Sequence, residues 1–573
     1  MSEPGWIDCG EGVRLERGVL ARMRDGVELV SDHYYPREPG PQPTLLMRQP
    51  YGRDIASTVV YAHPVWFARH GYNVVIQDVR GRGDSDGEFY PFRNEGPDGA
   101  DTIVWVRTRP ECNGRVGMYG FSYQGMTQLL AAAEQPEGLL CISPGMTAAD
   151  LYHGWFYQGG VLRLASTLGW GLQLLKVDAR KKKLREASER LEEAWANLAL
   201  QTSVLPLPSH PALNGAGLPS YVLDWLDHDL PGAYWSSLDI SQRLEKVSVP
   251  ALHISGWYDM FLRGSVDGFL ALSKCAGSEL ARENQYLLAG PWVHIPWGDR
   301  IGAAGFGAEA LIDTDTILLR WFDHWLKDAG TFEEEPRVCH FVLGENRWRE
   351  ADDFPSAAEA GYALFLHSGG RANSRKGDGT LSAACAEGDE PCDIFIYDPE
   401  VPVLAPGGPT ALAGQFDQAA LELGNNLLVY STQPLEKPLW VFGIPRVVLY
   451  CSTSQARADF TAKLVRVKPG GAVEFICVGA ARSSFLFAGK EYSADKVHRW
   501  EFPLEPTSCR FAKGERIRLE VAGSAFPLFD RNPGSDVPSA QATSWDWRRS
   551  TQFVFHGKER PSALYLPASE ALE

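Results

Sequence analysis

Apolar residues recur along this chain in three rhythms, and each rhythm predicts a different architecture. Residues 18–23 and 27–31 are apolar runs flanking Arg24-Asp25-Gly26, which predicts a β-hairpin. Short apolar runs then recur at 44–49, 72–77, 116–119, 139–143, 251–255 and 286–289, separated by helix-like stretches. Buried strands alternating with helices predict a mainly parallel sheet covered on both faces. Between 147 and 246 that rhythm stops and the pattern turns helical. Its charged run, 178–193, predicts a solvated helix face with i,i+4 pairs. The strand pattern returns at 247–251, so the helical stretch is an insertion between two strands, the usual place for a cap over an active site. From about 336, Gly, Pro and Asp punctuate short apolar runs at 339–343, 427–430, 446–450, 460–467, 473–478 and 516–521. Strands at this spacing without helices between them predict an all-β sandwich or barrel, with 369–390 as a long polar loop. The expected domains are an α/β unit from 1–146 and 247–335, a helical cap at 147–246, and an all-β domain at 336–573. No internal repeat is visible.

Composition narrows the class. A chain of 573 residues has room for two or three domains, and 44% hydrophobic with 22% charged residues is ordinary for a globular protein. The net charge of −17 argues against nucleic acid or an anionic membrane as partner. No run approaches the roughly 18 apolar residues of a membrane span. The opening Met1-Ser2-Glu3-Pro4-Gly5-Trp6 lacks the basic and apolar regions of a signal peptide. The 10 cysteines, Cys9, Cys141, Cys275 and Cys477 among them, form no C-x-x-C and have no zinc-finger spacing to histidine. The expectation is a cytoplasmic protein with reduced thiols, without metal or cofactor.

The candidate chemistry centres on Gly120-Phe121-Ser122-Tyr123-Gln124-Gly125, between a strand-like run (115–119) and a helix-like run (126–133). A serine at a strand-to-helix turn flanked by glycine reads as a nucleophile elbow, although a helix N-cap would also place a serine here. Gln124 stands where the common G-x-S-x-G pattern has its second glycine, and Gly125 follows one residue later. Such a nucleophile needs an acid and then a base, each just after a strand of the same sheet. Asp259 ends Ser255-Gly256-Trp257-Tyr258-Asp259, after the 251–254 run. His294 ends Gly290-Pro291-Trp292-Val293-His294, after the 286–289 run. His253 falls inside a predicted strand, His324 on an amphipathic helix, and His367, His498 and His556 in the β region. A first oxyanion donor would be the Tyr123 N–H at the helix start. Tyr51, just past the 44–49 strand, is the candidate for the second, or else an ordinary loop tyrosine.

These residues resemble the cocaine esterase-like hydrolases, a family related to X-prolyl dipeptidyl aminopeptidases and α-amino-acid ester hydrolases. The matching segments are 48–51, 77–85, 112–125, 256–259 and 290–294, with 346–348, 459–464 and 529–532 in the β region. The family's serine motif is G-x-S-Y-x-G, so Gln124 becomes a match. The resemblance implies an α/β-hydrolase fold with a helical cap insertion and a C-terminal all-β jelly-roll domain. It also implies Ser122 as nucleophile, Asp259 and His294 as its partners, and Tyr51 with the Tyr123 N–H as oxyanion hole. Asp78, Arg80, Arg82 and Asp84 form an incomplete calcium-loop pattern, which the family uses as a structural network.

The leading expectation is a serine carboxylesterase or acyl hydrolase acting on a small ester or amide through a covalent acyl-enzyme. Trp155, Phe156, Trp170 and Phe261 would line an apolar acyl pocket, or else form the cap's core. A second expectation is an X-Pro aminopeptidase or α-amino ester hydrolase, which needs carboxylates for the substrate ammonium. Asp227 and Asp229 could serve, while the extra N-terminal domain of the X-prolyl peptidases has no counterpart here. A non-catalytic jelly-roll binding protein is the third expectation, and homo-oligomerisation stays open.

Overall fold

The computed structural model describes residues 6–36, 40–54, 58–359, 361–409 and 413–569. Its first half is an 11-stranded sheet. The strands are β1 (Ile7–Asp8), β2 (Arg14–Arg22), β3 (Glu28–Tyr35), β4 (Gln42–Gln49), β5 (Asn73–Asp78) and β6 (Cys112–Phe121). They continue with β7 (Leu139–Gly145), β8 (Ala251–Tyr258), β9 (Gln285–Val293), β10 (Val338–Val342) and β11 (Arg347–Ala351). The spatial order is β1-β2-β3-β5-β4-β6-β7-β8-β9-β10-β11. The run from β5 to β10 is parallel, with antiparallel strands at both edges.

Both faces of the parallel strands are covered. Leu45, Met47, Val74 and Ile76 pack with Phe67 of α1 (Pro64–Arg69) and with Phe322 and Leu326 of the helix Thr314–Lys327. Leu46, Val75, Val116 and Met118 point the other way, to Ile103 of α2 (Glu95–Arg107) and Leu129 of α3 (Tyr123–Ala133). The period-2 alternation of strand side chains thus feeds two separate cores. Helices α2 and α3 touch closely: a Cβ on Gly99 would sit 2.7 Å from the Ala131 Cβ.

The insertion between β7 and β8 is the helical cap. It includes a π-turn (Tyr152–Phe156), α4 (Leu164–Lys181) and α5 (Arg185–Ala196). The exposed Arg185–Glu189 pair is of the i,i+4 type foreseen for the charged run, but Asp178 departs from it. Asp178 is buried, accepting from Tyr221 Oη at 2.7 Å and Arg82 Nη2 at 3.1 Å. That bond ties the cap to the loop after β5. The rest of that loop is also held by ion pairs: Arg53 bridges Asp32, Asp78 and Asp84, and Arg80 holds Asp98 and Asp25.

The C-terminal region is a jelly-roll sandwich, with an 11-stranded and a 3-stranded sheet among its described residues. Two strands beyond residue 336 belong to the first sheet by hydrogen bonding: β10 pairs with β9, and β11 with β10. The 369–390 segment is irregular apart from a short strand, Thr380–Ser382. Where jelly roll meets cap, Arg482 holds Asp459 and Asp530, each at 2.8 Å, while the Arg482 N–H donates to Gly159 O and the Asp530 N–H to Leu162 O. The motif residues at 459 and 530 therefore serve the domain contact. No helix among the described residues is long and apolar enough to cross a membrane.

Candidate active site

Ser122 stands between β6 and α3 with φ 61° and ψ −128°. A non-glycine residue there is strained by about 1–3 kcal/mol and persists only when its surroundings dictate it. The neighbours explain how the turn closes. Gly120 has φ 139°, and a Cβ on it would meet the Gln124 Cβ at 2.5 Å. A Cβ on Gly125 would lie 2.8 Å from Thr147 and 2.9 Å from the Gly145 carbonyl. The close backbone approach thus falls on Gly125, which frees position 124 for glutamine. The Ser122 N–H donates to Gly145 O at 2.9 Å, and its side chain makes no cap bond to the helix. Ser122 thus occupies the N-cap position without capping the helix through its side chain.

Asp259 and His294 follow β8 and β9 at the same end of the sheet. The His294 Nδ1 lies 2.9 Å from Asp259 Oδ1, which leaves Nε2 for the cavity. Asp259 is 1% exposed. His253 is different: it is buried within β8, its Nε2 faces Gln285 Oε1 at 3.0 Å, and burial pushes its pKa down to about 4.

Tyr51 reaches the serine from the end of β4, with its hydroxyl in hydrogen-bonding contact with the Ser122 side chain. The Trp170 Nε1 donates to that hydroxyl at 3.1 Å. An indole N–H can only donate, so the phenol oxygen accepts from Trp170 and its own proton is directed elsewhere. Burial, opposed by these two bonds, pushes the Tyr51 pKa up to about 12. The Tyr123 N–H is at the first turn of α3, where backbone donors lack helical partners and the helix dipole is positive.

Ser122, His294 and Tyr51 line one cavity of about 600 Å3 under the cap. Trp155 and Phe261 form its inner wall, stacked at 3.9 Å between ring centroids, and Phe261 meets the His294 ring edge-on at 5.2 Å. Trp170 completes the wall against Trp155. Phe156 does not line the cavity. It lies behind, against Trp225 and Trp235, because its position on the π-turn points it into the cap's core. Sequence reasoning missed Gln173, Trp195, Leu198 and Met260, which also line the cavity. An aromatic in the highly charged α5 was the one available sign of Trp195. No Asp, Glu, Lys or Arg is found among the described residues that line this cavity. Asp227 and Asp229 are solvent-exposed on the cap and do not contribute to the lining.

A strained serine at a strand–helix elbow, beside an imidazole–carboxylate pair on an α/β-hydrolase sheet, is the arrangement of the serine hydrolases. The family profile described as "X-Pro dipeptidyl-peptidase (S15 family)" matches residues 25–296, and that of its C-terminal non-catalytic domain matches 330–565. Cocaine esterase of Rhodococcus sp. (strain MB1 Bresler) is 34% identical over 96% of this chain and 97% of its own. The chain belongs to the cocaine esterase-like serine hydrolase family. Among solved structures, an α-amino acid ester hydrolase superposes with TM-score 0.79 at 25% identity, covering 98% of both chains. An aminopeptidase from a marine sediment archaeon, Thaumarchaeota archaeon, shares the fold with TM-score 0.78 at 24% identity, covering 99% of both chains.

Proposed function

We propose that the protein is a carboxylesterase for neutral, apolar or aromatic acyl groups, with Ser122, His294 and Asp259 as its catalytic triad. The observation that carries this reading is the cavity itself: a serine and an imidazole in an aromatic chamber with no charged side chain among the described residues that line it. The likeness to cocaine esterase supports it. In this mechanism His294 Nε2 takes the proton of Ser122 Oγ as that oxygen attacks the ester carbonyl, and Asp259 stabilises the imidazolium. The Tyr51 hydroxyl and the Tyr123 N–H hold the oxyanion. Collapse expels the alkoxide, which leaves with the proton from His294, and water repeats the sequence on the acyl-enzyme. The 10 unpaired thiols support placing the enzyme in a reducing, cytoplasmic compartment. The test is stoichiometric labelling by a fluorophosphonate together with hydrolysis of phenyl benzoate. A protein that does neither is a binding protein built on this fold.

Tyr51→Phe is expected to slow acylation while leaving KM nearly unchanged. Loss of one oxyanion donor costs about 3 kcal/mol, or roughly a hundredfold in rate. Because the folded-state pKa of Tyr51 is raised to about 12, the phenol stays protonated and able to donate well above neutrality. The rate of the wild-type enzyme should therefore hold level between neutral pH and about pH 10, where an ordinary tyrosine would be half ionised. A single-turnover acylation rate unaltered in Tyr51→Phe would assign the second donor to another group.

A further inference from the structure

A buried ion pair behind the active site joins the elements that carry the two oxyanion donors. Tyr123 is fully buried, and its phenol has two partners: it donates to Glu95 Oε1 at 2.7 Å and accepts from the Phe92 N–H at 3.0 Å. Its ring stacks on Phe92 at 4.9 Å. The other oxygen of Glu95 pairs with Arg48 Nη1 at 2.9 Å, and the same nitrogen donates to the Glu95 carbonyl at 3.0 Å. Arg48 Nε donates to Gln77 Oε1 at 2.8 Å on the neighbouring strand β5. Arg48 and Glu95 are 0% and 3% exposed at their side chains, so neither charge has a solvent alternative.

Arg48 is near the end of β4, and the chain runs on through Gln49 and Pro50 to Tyr51. Tyr123 carries the other donor on its own backbone. A change in ψ at Ser122 would swing the Tyr123 N–H and the Tyr123 side chain together, and that side chain is pinned at its far end. The strained backbone of Ser122 needs such a constraint. Gly99 makes room for it: a Cβ there would crowd Arg48 Nη1 at 3.2 Å as well as Ala131. The pair thus fixes β4 against α2, and α2 against the start of α3.

Resting on the triad and oxyanion hole proposed above, we propose that Tyr123 and Glu95, with Arg48, are positioning residues that set the spacing of the two oxyanion donors. Fold stabilisation alone would leave transition-state binding untouched in any variant that folds, and this is where the two roles separate. Tyr123→Phe removes only the phenol oxygen and keeps the backbone N–H. Arg48→Lys is the milder second variant, keeping the charge beside Glu95 and losing the fork. In each folded variant, checked by circular dichroism, kcat for phenyl benzoate is expected to fall about 10-fold, less than for outright loss of a donor. KM should stay within about twofold, as expected when only a transition-state contact is weakened. Inhibition by phenylboronic acid, whose serine adduct places an oxygen in the hole, should weaken by the same factor as kcat. Inhibition by benzyl alcohol, which forms no adduct, should not change. Unaltered kcat and boronate affinity in either folded variant would overturn the inference and leave the relay a structural ion pair. Full activity in Ser122→Ala would instead remove the underlying assignment, so the two failures are distinct.

Discussion

Ser122→Ala is expected to lower kcat for a neutral aromatic ester by roughly 10^4-fold or more and to abolish fluorophosphonate labelling. The size follows from the geometry. Ser122 sits in backbone strain that few side chains tolerate, and it lines the same cavity as an imidazole whose Nδ1 lies 2.9 Å from a carboxylate oxygen. The second Asp259 oxygen, Oδ2, is buried without a hydrogen-bond partner among the described residues, so the histidine contact is the one its side chain makes there. His294→Ala should cost a similar amount, because a serine without its base is a weak nucleophile. The double variant should then cost little more than either single one, since the three groups act as a unit. Measuring kcat for the two single variants and the double variant decides the matter. Losses that multiply would mean that Ser122 and His294 act in separate steps, and a fully active Ser122→Ala protein would end the assignment.

Much of this site was legible because its residues punctuate strand ends. The runs at 116–119, 251–255 and 286–289 fall within the buried stretches of β6, β8 and β9, and Ser122, Asp259 and His294 lie just beyond the ends of those strands. In a parallel sheet the catalytic groups gather at one edge, so local order along the chain carries three-dimensional information. What was not legible depends on pairings between distant residues. Asp178 reads as one more charge in a solvated run, and only Arg82 and Tyr221 make it a buried cap anchor. Glu95 stands in a polar stretch, and its burial is decided by Arg48 and Tyr123. Trp170 reads as pocket wall, while its indole N–H has the further effect of orienting Tyr51. Phe156 and Trp155 are adjacent and equally apolar, and the π-turn alone sends one into the cap's core and the other to the cavity. Strands β10 and β11 have the same short, unhelical pattern as the strands after them, yet they pair with the first sheet. Which sheet a strand joins is a matter of hydrogen-bonded neighbours, and composition does not record it.

Esters with a neutral acyl group are expected to be cleaved at least about 100-fold more efficiently, in kcat/KM, than a Gly-Pro anilide. The family profile matched by this chain is named for X-Pro peptidases, so the outcome is open to decision by chemistry. A peptidase of that kind must hold a free α-ammonium group, and a cation taken from water into an aromatic chamber needs a carboxylate to offset its desolvation. The described residues that line the cavity provide none, and Asp227 and Asp229 are turned to solvent. An uncompensated buried charge costs several kcal/mol, and each 1.4 kcal/mol is a factor of ten. The leaving group adds to the difference, since an amine must be protonated as it departs whereas an alkoxide depends on this less. A matched pair isolates the ammonium from the leaving group: phenyl propionate against the phenyl ester of alanine. The alanine ester should be the poorer substrate at neutral pH. Its deficit should shrink as pH rises through the range near 8 where α-amino groups lose their proton, because the neutral amine carries no charge to bury. A deficit that is absent at neutral pH, or a Gly-Pro anilide that outperforms phenyl propionate, would mean that the cavity recognises an ammonium, and the aminopeptidase reading would then replace the esterase one.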